Sequence, residues 1–224
     1  MPAGAAPAPL PVVVLISGYG SNLQAILDRA PALGVEVRAV ISDRADAAGL
    51  QRARKAGVKT ETVLPGARPD RDSYDAALTA VVDRHSPRLV VLAGFMRILG
   101  HGFVSRHAGR LINIHPSLLP KYRGLHTHRR VLEAGDRVHG CSVHFVTEEL
   151  DGGAVIAQAE VPVKPDDTEV TLRARVQAQE HHLYPEVIGW FAAGRVQVVG
   201  NEVQFDGAPL TMPKIIPWDE RQDA

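Results

Sequence analysis

Five consecutive aliphatic residues, Val12 to Ile16, end abruptly at Ser17-Gly18-Tyr19-Gly20, and no other feature of the chain restricts its architecture so strongly. An unbroken apolar run of strand length has no solvent face, so it belongs inside a sheet that is covered on both sides. The glycine turn then hands the chain to a helix: Ser21 or Asn22 is placed to cap it, and Leu23, Ile26 and Leu27 recur at helical spacing. The alternation continues. Val35 to Ile41 predicts a second strand, Ala45 to Ala56 a helix closed by Gly57, Val58 to Val63 a third strand, and Pro65 to Asp70 a loop. Asp72 to His85 predicts a helix with Tyr74, Leu78, Val81 and Val82 on one side, and Arg88 to Ala93 a fourth strand. The expected fold class is α/β, an open, mostly parallel, twisted, Rossmann-like sheet with helices on both faces from Val12 to about Asn113.

Beyond that point the pattern is less regular. Leu111 to His115 predicts a short strand, Pro116 to Gly124 a loop, His128 to Ala134 a helix, and Val138 to Val146 and Ala154 to Val163 two strands. Thr168 to Phe191 predicts a long helix, and Gly200-Asn201 joins Val196 to Val199 with Glu202 to Phe205 in an edge hairpin. These are C-terminal antiparallel additions to the parallel half. With no internal repeat and no linker, residues 12–207 are expected to form one domain, with 1–11 a disordered N-terminal tail and 208–224 a C-terminal tail.

Charge and cysteine content narrow the function. Lys plus Arg and Asp plus Glu both number 25 in 224 residues, so no electrostatic footprint for nucleic acid is expected. The Ala- and Pro-rich start lacks the basic and apolar blocks of a signal peptide, and no apolar run reaches membrane-spanning length. Cys141 is the only cysteine, which excludes an internal disulfide and a thiolate metal site. A cytoplasmic protein acting on small molecules is expected.

The chemistry concentrates in Asn113-Ile114-His115 and in Asp151, each at a strand end or in a loop. An amide can donate to a carbonyl oxygen that is gaining charge, an imidazole can shuttle the proton of an attacking amine, and a carboxylate can hold that imidazole. Gly18-x-Gly20, with Asp43 at the end of the second strand, imitates a dinucleotide fingerprint, but Leu23 stands where its third glycine would be. Free backbone N–H groups, a helix N-terminus and the short side chains of Ser21 and Asn22 suit a single phosphate better. A purely structural turn and a dinucleotide site stay open on these residues alone.

Four segments carry a family resemblance: Val14 to Ile26, Leu92 to Leu99, Asn113 to Pro120 and Gly124 to His128. Together, in unbroken order from about Val12 to Val198, they resemble the phosphoribosylglycinamide formyltransferases. The resemblance implies transfer of a formyl group from 10-formyltetrahydrofolate to the amine of 5-phosphoribosylglycinamide in purine biosynthesis, without a metal, by a monomer or homodimer. It implies catalytic roles for Asn113, His115 and Asp151. It further implies substrate contacts from Gly20, Ser21, Asn22, Gln177 and Glu180. Folate contacts are implied for Arg71, Met96, Arg97, Ile98, Leu99, Asn113, Thr147, Glu148, Glu149, Leu150 and Asp151. Neither Cys141 nor His126-x-His128 makes a credible metal site, and the two histidines are expected to line or cap their loop. One departure is Arg123, where the family usually shows proline; arginine there is similar to methionyl-tRNA formyltransferases, which add a C-terminal RNA-binding domain. The remaining alternatives are 10-formyltetrahydrofolate hydrolase, whose extra N-terminal domain is not expected here, and a non-catalytic nucleotide-binding module.

Overall fold

A computed structural model describes residues 8–67, 70–200 and 202–217. Its strands and helices alternate as the apolar pattern requires: β1 (Leu10–Ile16), α1 (Ser21–Arg29), β2 (Val35–Ser42), α2 (Ala48–Lys55), β3 (Lys59–Thr62), α3 (Arg71–Arg84) and β4 (Leu89–Leu92). There follow α4 (His101–Arg106), β5 (Leu111–His115), α5 (Thr127–Ala134), β6 (Val138–Phe145), β7 (Val155–Pro162) and α6 (Glu169–Ala192). Four short strands close the described chain: β8 (Val196–Val199), β9 (Glu202–Phe205), β10 (Ala208–Pro209) and β11 (Lys214–Ile216).

The large sheet has the order β11-β7-β6-β5-β4-β1-β2-β3. β1 to β5 run parallel, and β6 is antiparallel to both of its neighbours. Every residue of β1 is buried, and the two faces divide by parity: Val12, Val14 and Ile16 pack with α1, α2, α5 and α6, while Val13 and Leu15 pack with α3 and α4. The chain goes from β1 to β2 on one side and later returns to β4 on the other. That reversal leaves a crevice beyond the C-terminal ends of β1 and β4, the usual place for a ligand in such sheets.

Tyr184 of α6 is wholly buried, and its hydroxyl lies 2.9 Å from the carbonyl of Leu92 and 3.2 Å from that of Ile112. One phenol therefore ties α6 to both β4 and β5. Among the described residues, no helix is long and apolar enough to cross a membrane.

Several boundaries depart from the sequence reading. The helix α4 was not foreseen, because Gly100 and Gly102 punctuate a stretch only six residues long. β1 begins at Leu10, inside the segment read as a tail, because Leu10 and Pro11 continue the register against Val35 and Glu36. The segment after Ala208 also carries strands: β10 completes a three-stranded antiparallel sheet with β9 and β8, and β11 pairs parallel with β7. Residues 1–7, 68–69, Asn201 and residues 218–224, on which the tail, Pro65 to Asp70 loop and hairpin-turn expectations partly fell, lie outside the described residues.

Buried histidines make this fold acid-sensitive. His107, at the end of α4, is fully buried against Phe103, and burial first, then the charge of Arg110, pushes its pKa down to about 4. Burial first, then His128, pushes His139 down to about 3. Because both values lie below the ordinary value of 6.5, the unfolded chain binds protons first. The stabilisation is complete above that value and is lost as pH falls toward the folded pKa. Between pH 7 and pH 5 each ring should remove about 2 kcal/mol of stability. Denaturant unfolding of the wild type and of His107→Gln at the two pH values checks this: the wild type should lose about 2 kcal/mol more than the variant, and an equal loss would show that the folded ring titrates near its ordinary value.

Candidate active site

The crevice opens into a cleft of about 1110 Å³. Its floor is the end of β1 joined to the end of β4: the Ser17 N–H donates to the Gly94 carbonyl (3.1 Å), and the Ser17 hydroxyl accepts from the Met96 N–H (2.8 Å).

The glycine turn is shaped by a close approach. Gly20 has φ of 77°, and a Cβ there would meet the Gly49 backbone at 2.8 Å, so both the conformation and the space demand glycine. Gly20 itself is the N-cap of α1, which corrects the expectation that Ser21 or Asn22 would cap it. Those two side chains instead reach α6. The Gln177 Nε2 donates to the Ser21 hydroxyl (3.0 Å), and the Asn22 Nδ2 donates to Glu180 Oε2 (2.8 Å). Burial pushes the Glu180 carboxyl up to about 7, against the opposing effect of the Asn22 hydrogen bond. The first turn of α1 thus presents backbone N–H groups and two polar side chains to the cleft.

Across the cleft, β5 places Asn113 and His115 two residues apart, hence on the same face of the sheet, with Ile112 and Ile114 on the opposite face in the core. Asn113 pairs in register with His144 of β6, and its Nδ2 lies 3.2 Å from His144 Nε2. The His144 Nδ1 lies 2.8 Å from the Phe145 carbonyl, so that nitrogen donates and Nε2 is left to accept from the amide. Burial, the largest influence, pushes the His144 pKa down and keeps the ring neutral for this role. One amide hydrogen of Asn113 is thereby pinned and the other is free to point into the cleft.

Both nitrogens of His115 face oxygens. Nε2 lies 3.0 Å from the Tyr122 carbonyl, and Nδ1 lies 3.4 Å from Asp151 Oδ2, with both side chains more than nine-tenths buried. Oδ2 of Asp151 also accepts from the Gly124 N–H at 2.9 Å, and Oδ1 is 3.7 Å from His144 Nε2. Asp151 reaches this position from a backbone with φ of 50°, a left-handed conformation that is costly for a side-chain-bearing residue.

The residues singled out in the sequence mostly converge here. Gly20, Ser21, Asn22, Met96 to Leu99, Asn113, His115, Thr147 to Asp151, Gln177 and Glu180 all line the cleft. Arg71 does not line it; its guanidinium donates to the Leu99 carbonyl (2.6 Å) and braces the Met96–Leu99 segment. Met96, Ile98 and Leu150 are exposed at the rim, an apolar mouth that suits a flat ring system. His126 and His128 line the cleft as well, and the ring of His128 lies 3.1 Å from that of His139. Among the described residues no group of three or more histidine, cysteine or acidic side chains is disposed to hold a metal.

Several cleft residues escaped the sequence reading, His144 and Arg173 among them. His144 sits in an apolar strand, where a histidine reads as core, and only the β5–β6 register reveals its partner. Arg173 precedes Gln177 by one turn on α6, so the i, i+4, i+7 spacing with Gln177 and Glu180 was its available signal.

The formyl transferase family pattern matches residues 10–188. Phosphoribosylglycinamide formyltransferase of Escherichia coli (strain K12) is 58% identical over 201 residues, covering 89% of this chain and 95% of that one. The trifunctional purine biosynthetic protein adenosine-3 of Gallus gallus is 46% identical over 189 residues, which span 84% of this chain and 19% of that protein. Among solved structures, phosphoribosylglycinamide formyltransferase of Coxiella burnetii superposes with a TM-score of 0.90 at 53% identity, covering 93% of this chain and 100% of that one.

Proposed function

The chain belongs to the formyl transferase family, and from that premise we propose that Asn113, His115 and Asp151 act on the reacting atoms, with 10-formyltetrahydrofolate as formyl donor. The enzyme is a transferase that formylates the amine of phosphoribosylglycinamide in purine biosynthesis. The observation that carries the residue assignment is the pairing on β5. Asn113 and His115 enter the cleft from one rigid strand, and Asp151 meets His115 from a separate loop.

In this reading the substrate phosphate sits at the N-terminus of α1, against Gly20, Ser21 and Asn22. Gln177 and Glu180 then hold the portion that leads to the amine, with the Glu180 carboxylate accepting from the amine. The folate ring lies against Met96 to Leu99 and the Thr147–Asp151 loop. The amine nitrogen attacks the formyl carbon, and the carbonyl electrons move onto oxygen. The free N–H of Asn113 stabilises that oxygen, and its orientation was fixed beforehand by His144. His115 stabilises the developing charge, and in this reading its Nε2 exchanges the Tyr122 carbonyl for the substrates to carry the proton lost by the amine to the folate nitrogen, which departs as its bond to the formyl carbon breaks, while Asp151 keeps the ring in position. The protein works in the cytoplasm as one domain, as a monomer or homodimer, on two small molecules and without nucleic acid or membrane.

One assay tests the reading: incubation with 10-formyltetrahydrofolate, with and without the ribonucleotide amine. Deformylation that requires the amine is expected. Deformylation without it would point to hydrolysis instead, and none in either case would leave a binding module.

A further inference from the structure

Loop residues 122–126 and Asp151 hold an unusual concentration of left-handed backbone. Tyr122, Gly124 and His126 have φ of 55°, 78° and 59°, and Asp151 has 50°. In the three that are not glycine, such conformations persist only when the surroundings fix them. The residues on either side of Arg123 are also the ones that touch the reacting pair: the Tyr122 carbonyl accepts from His115, and the Gly124 N–H donates to Asp151. Arg123, between them, pairs through its guanidinium with Glu149, two residues before Asp151.

Both ends of that contact are prepared. A Cβ on Gly152 would collide with the Glu149 carboxylate, so the glycine leaves the space into which that side chain folds. Beneath the loop, the Arg130 Nη1 donates to the Arg123 carbonyl (2.6 Å), and its guanidinium lies 5.3 Å from the Tyr122 ring centre. The Tyr122 hydroxyl is fixed in turn to Asp136 (2.9 Å).

We propose that Arg123 is a positioning residue for the transfer reaction: its ion pair with Glu149 straps the loop over His115 to the loop that carries Asp151 and so sets the geometry between them. The Arg123 and Glu149 side chains are 39% and 66% exposed, so the pair adds little to global stability. Its effect falls on alignment, where small displacements of reacting groups cost far more rate than fold. The inference rests on the reading of His115 and Asp151 as reacting groups. The two fail differently: if that reading is wrong, His115→Ala and Asp151→Asn keep a kcat near wild type, whereas an irrelevant strap leaves Arg123→Glu near wild type while those two variants lose activity.

The test compares Arg123→Glu, Glu149→Arg and the double swap. Arg123→Glu should lower kcat about fivefold to tenfold with an unchanged melting temperature, and the swap should recover most of that loss. Raised ionic strength should narrow the gap between the wild type and Arg123→Glu by screening the pair. Amide exchange over residues 117–126 reads the strap without reference to activity: it should quicken in Arg123→Glu and slow again in the swap. A kcat for Arg123→Glu within twofold of wild type, a swap no better than the product of the two single changes, or exchange unaltered by either variant would each overturn the proposal.

Discussion

Asn113→Ala should lower turnover by about 10²–10³ while changing the KM of either substrate much less, the signature of losing one donor at a developing oxyanion. The geometry explains why a single amide carries so much. Its Nδ2 is held by a histidine that is itself fixed by the Phe145 carbonyl, so the second N–H needs no reorganisation when charge appears on the formyl oxygen. Removing the amide leaves the Nε2 of His144 without its donor, and that loss should cost the fold only about 1 kcal/mol. Steady-state kinetics on a variant with an unaltered melting profile measures the effect. Turnover within a few-fold of wild type would take Asn113 out of the reaction.

The second large effect is a failure of additivity. Asp151→Asn keeps the shape of the side chain and an acceptor for the Gly124 N–H, but removes the negative charge beside His115 Nδ1. Each of Asp151→Asn and His115→Ala should lower kcat/KM by about two to three orders of magnitude, and the double variant should fall only slightly below the worse single one. The reason is that a carboxylate acting through an imidazole has nothing left to act on once the ring is gone. Losses that multiply in the double variant would mean that Asp151 works independently of His115, for example by shaping the loop with Gly124.

The sequence displayed the parts of this molecule that depend on local pattern. A strand buried on both faces has to be apolar throughout, and Val12 to Ile16 is; the long run from Thr168 to Phe191 holds no glycine before Gly189 and was read as one helix, which α6 is. Three-residue strands such as Lys214–Ile216 carry no such signature, because the partner strand and not the local sequence makes them extended. The site divides in the same way. Asn113 and His115 could be read because two polar residues alternate with aliphatic ones at a strand end. The contact of Asn22 with Glu180 joins positions 158 apart in the chain, and that of Asn113 with His144 depends on strand register, so neither was visible before the fold. Arg123 was visible as a departure from the family pattern, yet its partner Glu149 lies in another loop, and only the folded backbone brings them together.

The hydroxyl of Tyr184 has a consequence for which acceptors this enzyme can use. Glu180 lies one helical turn before Tyr184, and Asn113 directly follows Ile112, whose carbonyl the phenol holds along with that of Leu92. The span from the α1 turn, through Glu180, to the amide on β5 is therefore a fixed length, like the jaws of a gauge. With the phosphate seated at the α1 turn as proposed, an amine carried on a longer or shorter arm is expected to stop short of the formyl carbon or pass beyond it. If the substrates sit as proposed, discrimination between acceptors should be made by distance along the cleft and appear in the reaction step more than in the tightness of binding.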